Sequence, residues 1–423
     1  MAPVMIPIGA PGRALLAADL ARRSFAPSRA STRRIGAEVE LLPIDPDTRC
    51  IASLESGAHS VLAVLRRFGA TRCWSEARTE KGTPCFHVPN GGRLTFEPGG
   101  QIEYAAPPAS GASALAANVR SVLEPLRRHA SMEGLELVAA GIEPERDVWS
   151  APRQLDAERY ERMESYFATI GPHGARMMRQ TASFQVCLDI AEGDVGRRQW
   201  RLLNAAAPYV VAMFANSPRY DAILTGHQSV RAACWRRLDP SRTGIVPGDD
   251  PVSAYLAFAL GAPDMMRRAP GGAYQSFGDW VDTGAMTLDD WHHHLSTLFP
   301  EVRPRGYFEV RGADSIDPAC CVAPLALLGG LSYDATALAD ALDVLHVPGD
   351  VLECAGFAGL RDPTIAAVSA QLAEIAIQAC VRLGPDFLTE ADLELARAFF
   401  DRYTLRRRSP ADDVRDAGAA ATA

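Results

Sequence analysis

The sequence predicts an α+β fold in which an antiparallel sheet packs against helices on one face. Three observations predict this class. Four regions of the chain alternate apolar and polar residues with the period of a β-strand. A Pro-Gly-Gly turn in "LTFEPGGQIEYAAPP" (residues 94–108) joins two short strands into a hairpin. Helical patterns of varied length separate the strands, and hairpins with one polar face favour antiparallel pairing.

The composition is that of an ordinary globular protein. The chain has 423 residues, of which 48% are hydrophobic and 22% charged, and its formal net charge is −8. This negative balance argues against nucleic acid or an anionic membrane as a partner. The sequence has no continuous run of about 18 apolar residues, so no transmembrane helix is expected. Nine cysteines without a C-x-x-C pair indicate reduced thiols and a cytoplasmic location.

The secondary-structure elements follow from the period of the apolar residues. Helical spacing predicts helices over residues 13–25, 61–68, 112–133, 157–169, 197–216 and 288–298. Alternation predicts strands over residues 35–45, 93–106, 135–144, 181–190 and 306–315. Residues 219–278 mix loops with short helices, and helical patterns dominate after residue 318.

The polar positions of the strands share one face of the predicted sheet. Residues at i and i+2 of a strand point the same way, so Glu38 and Glu40 share a face. That face is expected to carry Glu38, Glu40, Glu97, Gln101, Glu103, Gln185, Asp189, Glu309 and Arg311. The opposite, apolar face is expected to pack on helices through Val39, Leu41, Ile102, Phe184, Val186, Phe308 and Val310.

A cluster of carboxylates on one face needs cations, because closely spaced carboxylates raise one another's pKa and destabilise the fold. Oxygen ligands without His or Cys suit Mg²⁺ or Mn²⁺, and Mg²⁺ is commonly held together with substrate phosphates. No G-x-x-x-x-G-K-[ST] loop is present, so isolated arginines such as Arg311 would have to supply positive charge to the phosphates. The alternative is a plain sheet whose polar face is exposed to water, which is normal for antiparallel sheets.

Three adjacent histidines, His292, His293 and His294, are not expected to bind a metal together. They lie in a predicted helix, where consecutive side chains point about 100° apart. Three neighbours on a regular helix therefore cannot face one ion.

The same residues lie in segments that resemble the glutamate–cysteine ligase family of the plant and bacterial type, including the actinobacterial branch that makes γ-glutamylcysteine for ergothioneine. The segments occur in family order between residues 13 and 330. They are "IGAEVELL", "LTFEPGGQIEYAAPP", "RYERMESYF", "MMRQTASFQVCLD", "FANSP", "SVRAACWRRLDPSRTG" and "HLSTLFPEVRPRGYFEVRGAD". The resemblance implies a glutamine-synthetase-like fold: a saddle of antiparallel strands that holds Mg²⁺ and ATP, with helices on the opposite face.

The resemblance also implies roles for individual residues. The metal-binding carboxylates that it implies are Glu38, Glu40, Glu97, Glu103 and Glu309. Arg311 and Glu309 are implied to be catalytic, and Arg311 and Gln185 to contact ATP. Arg231 and Trp235, in "SVRAACW", are implied to bind substrate, and Arg179 is a second candidate for a substrate carboxylate.

The implied reaction joins L-glutamate to L-cysteine through γ-glutamyl phosphate, with ATP and Mg²⁺ (or Mn²⁺). Two alternatives stay open: a ligase of the same chemistry with another amine acceptor, and a non-catalytic relative that only binds. The thiol pathway, glutathione or ergothioneine, and the oligomeric state stay open as well. We divide the chain into an N-terminal helix and loop (1–34), a catalytic domain (35–330), its helical C-terminal part (331–408) and a disordered tail (409–423).

Overall fold

Nine of the strands in the described part of the chain pair into one large sheet, and the other four form two separate two-stranded sheets. The structure, a computed structural model, describes residues 10–79, 82–284, 286–345 and 351–420. Its strands are β1 (Ile35–Ile44), β2 (Ser75–Arg78), β3 (Pro84–His87), β4 (Arg93–Phe96), β5 (Ile102–Ala109), β6 (Glu136–Val138), β7 (Ser183–Leu188), β8 (Arg219–Tyr220), β9 (Ile223–Leu224), β10 (Thr243–Gly244), β11 (Phe299–Pro300), β12 (Val302–Pro304) and β13 (Phe308–Asp314). The sheet is antiparallel, in the order β12-β13-β7-β1-β5-β4-β3-β2, and β6 pairs with the end of β1.

Helices make up most of the remaining described chain. They are α1 (Ala10–Asp19), α2 (Val61–Thr71), α3 (Ala112–Met132), α4 (Glu158–Phe167), α5 (His173–Gln180), α6 (Gly193–Met213), α7 (Val230–Arg236), α8 (Pro251–Gly261), α9 (Phe277–Asp282), α10 (Leu288–Leu295), α11 (Val322–Tyr333), α12 (Ala335–Val344), α13 (Val351–Phe357), α14 (Pro363–Leu383), α15 (Glu390–Arg402) and α16 (Pro410–Ala420). A π-helical turn, Leu20–Ser24, continues α1. The α+β class predicted from the sequence is confirmed.

One face of the sheet is apolar and lies against helices, as the alternation predicts. Val39 pairs with Tyr104 on one side and with Phe184 on the other, and all three side chains are buried. The helices α3, α6 and α11 contact the central strands of the sheet. Burying this face against helices leaves the carboxylate-bearing positions on the other face, where they can line a cavity.

The predicted domain boundaries stay a prediction. A single cluster of buried apolar side chains extends from Leu16 in α1 to Tyr403 near the C-terminal end. The helix α11 also continues across residue 330, where we placed the end of the main domain.

The prediction of a disordered tail is wrong for residues 410–420, which form α16. The backbone N–H of Ala411 donates to the carbonyl of Ala215 at 2.9 Å, and Arg415 donates to the Gln228 side chain at 2.8 Å. Tertiary contacts therefore order a segment whose alanine-rich composition suggested fraying. Residues 421–423 lie outside the described residues.

Among the described helices, α14 is long and apolar enough to cross a membrane by length and composition. Half of its apolar window is buried inside the structure, and it contacts α11 and α12. α11 and α12 pass the same test only as a pair, and the chain bends by 99° between them. Core helices of soluble proteins meet this test too, so it is weak support for a membrane span.

Candidate active site

The carboxylate face of the sheet forms the floor of a cavity of about 620 Å³. The antiparallel register places Glu40 opposite Glu103 and Glu38 opposite Gln185. Directly paired residues point to the same face, so these four side chains converge. These four residues share the predicted face, and all four line the cavity. Gln101, Asp189 and Glu309, which were predicted for the same face, are not among the residues that line it. Gln101 donates to the carbonyl of Thr181, and Asp189 accepts from the N–H of Arg34.

Three carboxylates lie close enough to share one ion. Glu40, Glu97 and Glu103 each offer an oxygen, and these oxygens lie within 4.8 Å of one another. Glu40 is held in place by the backbone N–H of Ser183 at 2.6 Å and by Gln185 Nε2 at 3.1 Å. The ligand set contains only oxygen, which suits a hard divalent cation such as Mg²⁺.

The electrostatics of the face also favour a cation. Burial, and then the charge of Glu40, raise the pKa of Glu97 to about 7. Burial, and then the charges of Glu97 and Glu40, raise the pKa of Glu103 to about 8. Burial raises the pKa of Glu38 to about 8, with further contributions from Glu103 and Glu309. A bound divalent cation would offset this repulsion, so the residues present fit a metal site.

The Pro98-Gly99-Gly100 turn fixes the relative positions of Glu97 and Glu103. The N–H of Gly100 donates to the carbonyl of Glu97 at 2.8 Å, and Gly100 has a φ of +93° that favours glycine. A Cβ on Gly99 would lie 1.9 Å from the carbonyl oxygen of Arg179. Both glycines are therefore required by the backbone path that brings the two carboxylates together.

Glu309 sits at the centre of an arginine clamp. Its carboxylate accepts from Arg303 Nε at 2.7 Å, from Arg311 Nη1 at 2.6 Å and from Arg305 Nη1 at 3.3 Å. Although burial opposes it, these arginines hold the pKa of Glu309 well below its usual range. Arg311 Nη1 also donates to Gln185 at 2.6 Å, while Arg311 Nε is buried without a partner among the described residues.

Arg231 and Trp235, which are predicted to bind substrate, line the cavity. The Arg231 guanidinium lies over the Trp235 ring at 4.6 Å and donates to the carbonyls of Arg311 and Gly312 at 2.8 and 3.3 Å. Arg231 thus supports the strand that carries Arg311. The indole N–H of Trp235 is buried and has no hydrogen-bond partner among the described residues.

Arg179 is not among the residues that line the cavity, so its role as a substrate residue stays a prediction that this geometry does not support. Its guanidinium is held by Glu164 Oε1 at 2.8 Å and by the carbonyl of Ala151 at 3.1 Å. The positive charge of Arg179 is therefore paired with Glu164, beside the Pro98-Gly99-Gly100 turn.

Several cavity residues were missed by sequence reasoning. Arg159 faces the cavity, donates to the Ser296 carbonyl at 2.6 Å and keeps a buried Nε without a partner among the described residues. Arg159 lies in the segment "RYERMESYF", but nothing in that segment indicates that its side chain points into the cavity. The β12–β13 register pairs Arg303 with Glu309. Predicting a hairpin over "RPRGYFE" from the sequence would therefore have identified Arg303 as a neighbour of Glu309. His292 and Asp19 also line the cavity, and no local signal joins positions so distant in the chain.

A cavity that combines a carboxylate cluster with arginines on one face of an antiparallel sheet suits the binding of a divalent cation and phosphates, which fits the class of glutamine-synthetase-like, ATP-dependent carbon–nitrogen ligases. The sequence profile described as glutamate–cysteine ligase family 2 (GCS2) matches residues 34–383. The chain belongs to this family, which confirms the resemblance found in its motifs.

Individual relatives carry the same family name. A glutamate–cysteine ligase, EgtA of Mycolicibacterium smegmatis, is 35% identical over 344 residues, which are 78% of this chain and 78% of the relative. A chloroplastic glutamate–cysteine ligase of Medicago truncatula is 32% identical over 267 residues, 59% of this chain and 52% of the relative. The chain therefore matches about half the length of this plant relative.

Solved structures confirm the fold class. A bifunctional glutathione synthetase from Pasteurella multocida superposes with a TM-score of 0.54 at 12% identity, covering 91% of this chain and 50% of that one. A glutamate–cysteine ligase from Francisella tularensis, solved in complex with AMP, superposes with a TM-score of 0.52 at 11% identity and covers 92% and 85%. At these identities the similarity shows the fold alone.

Proposed function

We propose that this enzyme joins the side-chain carboxylate of L-glutamate to the amine of L-cysteine, consuming ATP and producing γ-glutamylcysteine. The observation that carries the proposal is the convergence of Glu40, Glu97 and Glu103 within 4.8 Å on the floor of an arginine-lined cavity. Membership of the family and the names of the relatives support the choice of substrates.

Glu40, Glu97 and Glu103 would hold one Mg²⁺ or Mn²⁺ ion, and Glu38 would extend the acidic set. When bound, the cation supplies charge neutralisation at the β- and γ-phosphate oxygens. Glu309 is occupied by arginines in this structure, so a metal role for it requires that its ion pairs rearrange.

The remaining cavity side chains position the substrates. Arg311 Nε, which has no partner among the described residues, is suited to a phosphate oxygen, and Gln185 orients this arginine. The N–H groups of Arg159 Nε and Trp235 Nε1, for which the described part of the chain offers no acceptor, are suited to a substrate carboxylate. Donors held in place before the reaction stabilise developing negative charge without reorganisation.

The reaction runs in two displacements. The side-chain carboxylate of glutamate attacks the γ-phosphorus of ATP, which releases ADP and forms γ-glutamyl phosphate. The amine of cysteine then attacks the carbonyl carbon of this anhydride and displaces phosphate. Because catalysis depends on positioning and electrostatics, no side-chain nucleophile is required.

An acceptor panel tests the proposal. Purified protein with L-glutamate, ATP and Mg²⁺ is given L-cysteine, L-serine, L-alanine or glycine, and ADP release is followed together with mass spectrometry of the product. We expect cysteine to give the highest rate and Arg311→Met to abolish it, whereas the exposed control Arg197→Met keeps it. If another amine reacts and cysteine does not, the acceptor is wrong; if none yields an amide, the proposal is wrong.

The proposal extends to where in the cell the reaction takes place and to which part of the chain carries it out. All nine cysteines are free in the structure, which is in keeping with a reducing, cytoplasmic location. We also propose that residues 35–330 supply the metal-binding carboxylates and the arginine clamp, since both lie within these bounds.

A further inference from the structure

Asp19 and His292 form a hydrogen-bonded pair in the wall of the cavity, apart from the carboxylate cluster. His292 Nε2 lies 3.0 Å from Asp19 Oδ2, and both residues line the cavity. The Asp19 side chain is 3% exposed, whereas that of His292 is 26% exposed. Asp19 precedes residues 34–383, the part of the chain that matches the family profile.

The contacts of the ring define one tautomer. Arg23 Nη1 lies 3.4 Å from His292 Nδ1, and a guanidinium can only donate. Nδ1 therefore carries the lone pair, and Nε2 carries the proton that is donated to the Asp19 carboxylate. Asp19 and Arg23, both on the N-terminal segment, are the charged groups that contact the ring among the described residues.

The pair is held by a rigid frame. Leu16 and Leu20, on either side of Asp19, are fully buried. The carbonyl of Ser24 accepts from the N–H of Gly306 at 2.8 Å, which ties the π-helical turn to the arginine-bearing hairpin. Trp291, next to His292, is also fully buried. The orientation of the imidazole is thus fixed before any substrate binds.

The proposed reaction needs a proton acceptor, because the amine of an amino acid is largely an ammonium at neutral pH. The clustered glutamates are assigned to the cation, and the arginines of the cavity remain protonated. Burial raises the pKa of Tyr160 and of Tyr255 above the usual range of a phenol. Of the cavity-lining residues that the structure describes, only His292 is an imidazole, the side chain that most often serves as a general base in enzymes.

We propose that His292 is the general base for the acceptor amine and that Asp19 is the residue that positions it. This inference rests on the proposed ligase function and deepens it by naming a proton acceptor. The substrate ammonium takes the place of the exposed Arg23 guanidinium at Nδ1, and the Asp19 carboxylate stabilises the imidazolium that forms.

The protons and bonds balance as follows. Nδ1 of His292 takes one proton from the ammonium, and the freed lone pair attacks the carbonyl carbon of γ-glutamyl phosphate. The C–N bond forms while the C–O bond to phosphate breaks, and phosphate leaves with the electron pair. The second proton lost from nitrogen goes to the leaving phosphate, and the imidazolium returns its proton to water through its exposed edge.

Two acceptors of different basicity test the inference on the full-length enzyme with Mg-ATP and glutamate. The amine of cysteine is largely an ammonium at neutral pH and must lose a proton before it can attack. Hydroxylamine is largely unprotonated at the same pH and gives γ-glutamyl hydroxamate. We expect His292→Gln to lower kcat with cysteine by about 10²-fold, the usual contribution of acid–base catalysis, and to leave kcat with hydroxylamine near wild type. Asp19→Asn should lower the cysteine rate less. The control is His293→Gln, an exposed neighbour outside the cavity, which should match wild type with both acceptors.

The rate with cysteine in His292→Gln should also recover as the pH rises and the free amine accumulates. Equal losses with cysteine and hydroxylamine would show a merely structural role, and an unchanged cysteine rate would exclude His292 as the base. If His292→Gln does not fold, Asp19→Asn is used instead. A loss with cysteine but not with hydroxylamine in that variant supports the proposal, and equal losses with both acceptors show a merely structural role. Failure of the wild type with both acceptors would instead overturn the proposed ligase function.

Discussion

Replacing Glu97 by Gln is expected to stabilise the metal-free protein while removing its response to Mg²⁺. The pKa of Glu97 is raised from 4.5 to about 7, so its charged form is disfavoured in the fold. The destabilisation begins above the unfolded-state value near 4.5 and is complete above about 7. A shift of this size corresponds to about 3 kcal/mol at pH 8, an upper limit because the side chain is only half-buried.

This free energy translates into a measurable change in Tm. An unfolding entropy of about 2.1 cal/mol/K per residue gives roughly 0.9 kcal/mol/K for the whole chain, so the Tm of Glu97→Gln should rise by up to about 3 °C at pH 8. At pH 5 the folded carboxyl is already protonated, and the gain should fall below about 1 kcal/mol. Thermal unfolding in EDTA at both pH values measures the difference, with the exposed Glu136→Gln as control.

Repeating the scans with Mg²⁺ completes the experiment. Wild type should gain Tm because a ligand that binds only the folded state stabilises it, whereas Glu97→Gln should gain little. The reasoning is refuted if Glu97→Gln lowers the Tm at pH 8, or if Mg²⁺ stabilises the variant as strongly as wild type.

Three further substitutions test the frame around the site. Arg303→Gln removes one of the three arginine partners of the buried Glu309 carboxylate and should cost about 1.5–3 kcal/mol in denaturant unfolding, whereas the exposed pair broken by Arg66→Gln should cost at most about 1 kcal/mol. Similar losses would contradict the clamp. Gly99→Ala forces a Cβ against the carbonyl of Arg179, so it should destabilise the fold by more than about 1 kcal/mol and lower the activity. The control Gly261→Ala meets open space and should be tolerated in the same assays. Arg415→Ala removes three hydrogen bonds that tie α16 to the body and should increase hydrogen exchange in that helix; unchanged protection would show that these contacts do not order it.

Parts of the site that depend on local geometry could be predicted from the sequence. Alternation along β1 placed Glu38 and Glu40 on one face, since side chains in a strand alternate strictly. The Pro-Gly-Gly turn indicated the hairpin that brings Glu97 back beside Glu103, because such a turn fixes the register of its strands. These inferences use distances of a few residues, over which the backbone alone determines direction.

Other parts could not be read from local patterns. The segment around Arg179 suggested a substrate-binding arginine. In the structure the guanidinium of Arg179 pairs with Glu164, and Arg179 is not among the residues that line the cavity. The alanine-rich end of the chain lacks a strong apolar stripe, and its helix is ordered by contacts such as that of Arg415 with Gln228. In both cases the deciding partner lies elsewhere in the chain.

The sequence by itself determined the α+β class, the acidic face of the sheet and the family to which the chain belongs, because periodicity, turns and ordered motifs are written in consecutive residues. Only the tertiary structure decided which three carboxylates converge, which arginines enclose Glu309 and that Asp19 meets His292 across the cavity wall. The physical reason is that side-chain charges act through space, so partners far apart in sequence become neighbours only once the strands and helices have packed.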